Sequence, residues 1–188
     1  MKKARKTALL LVDFINLLNF DGAEKLAPRA IRAARATVRL KARAAAARIP
    51  CIYANDNFGD WTSEFSTLTA RCSRKHGAAG TIARMLAPAR GDLAVLKPRH
   101  SAFYGTPLDF LLDELGVSSL LIAGLTADIC VLATAQDAYV RKYRLWIPSD
   151  CVASFTVKYE RASLEHMART LKANTRPARR AKALIWGD

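Results

Sequence analysis

The chain has 188 residues, 51% apolar and 24% charged, which fits one soluble globular domain spanning 1–188 and leaves little room for a second core. No apolar run approaches the roughly 20 residues of a membrane span, so a membrane partner is not expected. Thirty Lys and Arg against 16 Asp and Glu leave a net charge of +14, which reads as solubility or nonspecific attraction to polyanions and says nothing about fold.

In chain order, MKKARKTALLLV imitates a signal peptide. The apolar stretch from Ala8 to Val12 is about half the usual length, Asp13 interrupts it, and no small-residue cleavage site follows. It reads instead as a basic end leading into a first strand, Thr7 to Val12. Ile31, Ala34, Val38, Ala42 and Ala45 form a helical stripe, with Arg32, Arg35, Arg39 and Arg43 as a solvated basic row beside it. Pro50 introduces a strand from Cys51 to Ala54. Residues 55–77 are polar, punctuated by Gly and carry Phe58 and Trp61, the pattern of a long functional loop, partly helical. A short helix over Ile82 to Leu86 and a strand over Leu93 to Leu96 follow.

Pro107 suits the first position of a helix capped by Thr106 and running to Leu115. Leu120 to Ala123 is an apolar run suited to a strand buried on both faces, ended by Gly124. Asp128 is a candidate cap for the next helix, in which Val131, Ala135 and Ala138 recur at helical spacing. Arg144 to Ile147 is the next strand and Val157 to Leu171 the last clear helix. From Arg169 the chain is basic, and the tail from about 174 is expected to fray or to reach a neighbouring subunit. Strands alternating with such helices imply βαβ units, a parallel sheet and helices on both faces.

Four cysteines, Cys51, Cys72, Cys130 and Cys151, show neither CxxC pairs nor His-containing metal spacing, so free thiols in a cytoplasmic chain are expected. In an open parallel sheet, ligands bind beyond the carboxyl ends of the strands. Asp13, Lys97 and Cys130 each follow a strand. Singly, they read as a turn cap, a surface cation and a packing thiol. Together, a carboxylate, a cation and a helix-start thiol at one sheet edge are what nucleophilic catalysis needs. Cys51, Cys72 and Cys151 read as packing residues.

These residues resemble the isochorismatase-like cysteine hydrolase superfamily, which includes nicotinamidases and N-carbamoyl amide hydrolases. The likeness is carried by Val12-Asp13 with Asn16, by Lys97 with Ser101-Ala102-Phe103 and Gly105-Thr106, and by Gly124, Thr126, Cys130-Val131, Thr134-Ala135 and Asp137-Ala138. The resemblance implies an α/β fold: a three-layer α/β/α, doubly wound, Rossmann-like parallel sheet of five or six strands in the order 3-2-1-4-5(-6). In that order Lys97 must reach across the end of strand two. The resemblance also implies a catalytic triad of Asp13, Lys97 and Cys130, and a cis peptide at Leu125-Thr126. The backbone N–H groups of Thr126 and Cys130 then serve as the oxyanion hole.

The activity implied is hydrolysis of a small amide or ureido (carbamoyl) compound through a thioester. Lowering a free thiol from a pKa near 8.5 to about 6 takes roughly 3.4 kcal/mol, for which Lys97 and the helix N-terminus are the expected sources. Nicotinamidases carry a His-containing metal set after strand two. Here that stretch reads Asn55-Asp56-Asn57 with no His before His76, so neither metal nor cofactor is expected. The nucleophilic Cys argues against isochorismate as substrate. Phe14, Asn16, Asn57, Trp61, Phe103 and Tyr104 are pocket candidates by position, and His100 is expected at the rim. Relatives in the superfamily suggest a homodimer or homotetramer. The competing reading is a basic polyanion-binding protein on a hydrolase-like scaffold, but the basic segments show no nucleic-acid reading module and no interleaved aromatics.

Overall fold

The computed structural model describes residues 6–181 and 183–184. In chain order the elements are β1 (Lys6–Val12), α1 (Ala23–Ala46), β2 (Cys51–Asp56), α2 (Phe65–Ser73), α3 (Gly77–Met85) and β3 (Leu93–Lys97). Then come α4 (Leu108–Glu114), β4 (Val117–Leu125), α5 (Cys130–Val140), β5 (Arg144–Trp146), β6 (Val152–Ala153) and α6 (Val157–Thr170). All strands pair in parallel in the order β3-β2-β1-β4-β5, and β6 continues the edge of β4 beyond β5. The implied strand order and the sixth strand are therefore both present.

Alternation along β1 divides the molecule into layers. Leu9 and Leu11 face one core with Ala30, Leu40, Ile82 and Leu86, beneath α1, α2 and α3. Ala8, Leu10 and Val12 face the other, with Leu112, Val131, Ala135 and Met167 of α4, α5 and α6. Successive side chains of a strand point to opposite faces, so a strand covered on both sides must be apolar throughout, as β1 and β4 nearly are. Each fully buried Leu or Ile contributes about 1.5–3 kcal/mol.

At Gly124, β1 and β4 approach most closely. Gly124 pairs with Val12, and a Cβ there would lie 2.3 Å from the Val12 carbonyl oxygen. Only glycine fits, and this contact brings the end of β1, with Asp13, beside the turn that leads to Cys130.

Two expected caps move by one residue. Helix α5 starts at Cys130 with Ile129 as its N-cap, while Asp128 instead accepts a hydrogen bond from Ser154 Oγ at 2.6 Å. Helix α4 starts at Leu108 with Pro107 as N-cap, and the Thr106 hydroxyl accepts from Leu108 N–H at 3.2 Å. The basic C-terminal stretch does not fray over its described residues. Asn174 bridges to Trp146 along the open edge of β5, and Trp146 Nε1 donates to the Arg176 carbonyl at 2.8 Å. Arg43 of α1 donates to the carbonyls of Ala178 and Ala181 at 2.8 and 2.6 Å.

Candidate active site

Segments at the carboxyl ends of β1, β2, β3, β4 and β6, with Leu26 of α1, enclose a recess of about 230 Å³. The residue after β1, Asp13, has φ 52°, a left-handed conformation that Asp tolerates better than most residues. There the Asp13 carboxylate lies over the ends of the neighbouring strands. One oxygen accepts the Asp56 backbone N–H at 2.7 Å and the other meets Lys97 Nζ at 2.8 Å.

Lys97 ends β3 opposite Asp56 of β2 in the strand register, and from there its side chain crosses the end of β2. Its ammonium is fully buried and also donates to the Arg99 carbonyl at 3.1 Å, with Asp56 Oδ2 at 3.5 Å and Cys130 Sγ at 3.7 Å. Cys130, the first residue of α5, lines the recess with its sulfur 3.9 Å from His100 Nδ1. The loop carrying His100 is tied to α5 by Ala102 N–H, which donates to the buried Thr134 hydroxyl at 3.0 Å.

The electrostatics differ from the expectation of a low thiol pKa. Burial, followed by the charge of Asp13, pushes the Cys130 thiol up to about 12, with Lys97 opposing. The resting sulfur is therefore protonated. Burial also raises Asp13 above the usual carboxylate range, against the pull of Lys97. Burial works to neutralise Lys97, but Asp13 and Cys130 more than offset it, so the lysine pKa rises and the ammonium stays charged. The group is a neutral thiol beside a strengthened base that a buried cation holds in place.

The Leu125–Thr126 peptide bond is cis. The Thr126 carbonyl accepts the N–H groups of Ile129 and Val131 at 3.2 and 3.1 Å. Among the described residues, the N–H groups of Thr126 and Cys130 have no acceptor.

Of the six pocket candidates, only Asn16 lines the recess. Phe14 lies in the core under α1. Asn57 closes its own turn by accepting Gly59 N–H at 3.0 Å, and Phe103 packs against Tyr143. Trp61 and Tyr104 are exposed, at 80% and 63%, away from the lining. The actual walls are Phe20, Leu26, Phe58, Leu125, Ile129 and Phe155, with Asp56 at the mouth and His100 beside the sulfur. Phe58 was visible as an aromatic in a polar loop, whereas Phe20 and Phe155 gave no local signal. Their rings meet edge to face at 6.1 Å although they stand 135 positions apart in the chain. Among the described residues, no three of His, Cys, Asp or Glu converge to hold a metal ion. His76 caps α3, outside this recess.

Comparison with known proteins agrees with this architecture. The isochorismatase domain family matches residues 7–177. An uncharacterized isochorismatase family protein of Bacillus subtilis (strain 168) is 42% identical over 154 residues, which is 82% of this chain and 83% of that one. The crystal structure of N-carbamoylsarcosine amidase from Thermoplasma acidophilum superposes with a TM-score of 0.73 at 26% identity, covering 95% of this chain and 99% of the other. The nicotinamidase of Staphylococcus aureus shares the fold, with a TM-score of 0.72 at 24% identity over 93% of this chain and 99% of that one.

Proposed function

The chain belongs to the isochorismatase domain family, an amidohydrolase family, and from that premise we propose that it hydrolyses a small amide or ureido compound through a thioester on Cys130. The observation that carries this reading is the contact of three groups. The Cys130 sulfur opens on the recess and lies 3.7 Å from an ammonium that is itself 2.8 Å from a carboxylate.

As Sγ attacks the substrate carbonyl carbon, its proton passes to the Asp13 carboxylate, whose raised pKa makes it a stronger base. The carbonyl oxygen, now negative, is received by the backbone N–H groups of Thr126 and Cys130. Each such donor is typically worth about 2.7–4 kcal/mol in the transition state. Collapse of the adduct expels the amine, which takes the proton back from Asp13 and leaves an S-acyl enzyme. Asp13 then deprotonates water, which attacks the thioester, and the sulfur departs and recovers its proton. Lys97 keeps Asp13 ionised between proton transfers and fixes the direction of its free lone pair.

Ammonia release from a panel of carboxamides and carbamoyl compounds tests the reading. Wild type is expected to turn over at least one member, and Cys130→Ala none. Release that survives this substitution overturns the assignment of the nucleophile. The N-carbamoylsarcosine amidase likeness favours including ureido substrates in the panel.

A further inference from the structure

Carboxylates line the recess. Asp13 and Asp56 both face it, and no Lys or Arg is among the described residues that line it. Lys97 lies beneath the floor without exposed surface, and its ammonium is already shared among Asp13, Asp56 and the Arg99 carbonyl. Asp56 keeps 29% of its side chain exposed at the mouth. Its Oδ1 accepts Phe58 N–H at 2.7 Å, which directs the carboxylate toward the loop that forms one wall. The other titratable groups facing the recess are Cys130, a thiol at rest, and His100 at the rim. Around this acidic mouth the walls are the rings of Phe20, Phe58 and Phe155. A dry cavity of about 150 Å³ accommodates benzene, so a recess of about 230 Å³ has room for a six-membered ring with its amide.

We infer that the site selects an uncharged amide with an apolar body, and that Asp56 is the specificity residue that turns carboxylate-bearing amides and ureido acids away. A substrate carboxylate entering here meets two negative groups, a buried ammonium already shared between them and no Lys or Arg among the described lining residues, in a setting where burial strengthens charge repulsion. The same field acts on the product. Hydrolysis converts R–CO–NH₂ and water into R–COO⁻ and ammonium, and the new carboxylate is repelled by the residue that admitted its neutral precursor. This inference rests on the hydrolase reading above, but its central claim concerns binding and can be measured without turnover.

The test uses the Cys130→Ser protein at pH 8, with calorimetric binding of benzamide, benzoate and N-carbamoylglycine. Benzamide is expected to bind at least about tenfold more tightly than either anion, and adding Asp56→Asn is expected to reduce that ratio severalfold. Because Asp56 also approaches Lys97, a second variant is included. Ile129→Lys places a cation at an exposed lining position and is expected to move the ratio in the same direction. Benzamide binding no tighter than benzoate, or a ratio that neither substitution moves, overturns the inference. Wild-type kinetics separate the two readings. Selective binding of benzamide with no amide hydrolysed removes the hydrolase reading and leaves charge selection standing, whereas efficient hydrolysis of N-carbamoylglycine does the reverse.

Discussion

Cys130 is a half-buried thiol, and its resting state governs how it should react. Its pKa of about 12 is set by burial first and by Asp13 second, so the thiolate fraction near neutrality is small and grows about tenfold with each pH unit below that value. Iodoacetamide labelling of Cys130 should therefore accelerate steadily from pH 7 to 10. Cys51, Cys72 and Cys151 are buried and off the recess, so mass spectrometry should find one modified site. Fast, pH-independent labelling at pH 6.5 would show a resting thiolate instead. Asp13→Asn removes a charge that raises the thiol pKa, so alkylation at pH 8 should quicken while hydrolysis falls by about 10²–10⁴, the usual worth of a general base. The sequence singled out Asp13, Lys97 and Cys130 because each stands at or beyond the end of a strand, and the structure brings the three side chains together. Sequence alone did not reveal the acidity of the sulfur, since helix start and lysine were visible whereas the depth of burial and the second carboxylate, Asp56, depend on how β2 and β3 align.

At the level of elements, the site depends on how closely β1 meets β4 and on how α5 holds the loop after β3. Gly124→Ala forces a Cβ against the Val12 carbonyl. Overpacking of this kind costs about 1–3 kcal/mol or more, and it moves Asp13 relative to Cys130, so both thermal stability and turnover should fall. Thr134→Val preserves shape but leaves the Ala102 N–H without its acceptor in a buried setting, a loss of about 1–3 kcal/mol. At about 2–4 °C per kcal/mol for a chain of this size, thermal denaturation should detect it. Strands β1, β2 and β4 were legible as apolar runs because both faces are covered. Helix α2 was not, because only Leu68 and Cys72 of its nine residues are buried, too few to imprint a helical period. The cap of α5 shifted because Asp128 spends its side chain on Ser154, whereas Thr106 still accepts the N–H of Leu108 at the start of α4.

For the whole molecule, the excess of positive charge and the acidic recess are separate features. Exposed charges are screened within about 10 Å at 0.1 M salt, so turnover of an uncharged substrate should change little between 20 and 300 mM NaCl, while any nucleic-acid affinity should vanish over the same range. Strong salt dependence of turnover would tie the basic surface to the reaction. Part of the basic sequence has a structural use that composition alone could not show. Arg43 holds the carbonyls of Ala178 and Ala181, and Arg43→Ala should lower stability by about 1.5–3 kcal/mol, the scale of charged hydrogen bonds, without altering kcat. The segment that Arg43 receives also lies along the free edge of β5. During synthesis that edge stays bare until residues near 176 leave the ribosome, so a nascent chain halted earlier presents an unpaired strand to its neighbours, an invitation to edge-to-edge aggregation. A stop codon at position 174 should accordingly yield inclusion bodies, the final stretch of the polypeptide having acted as its own guard against them.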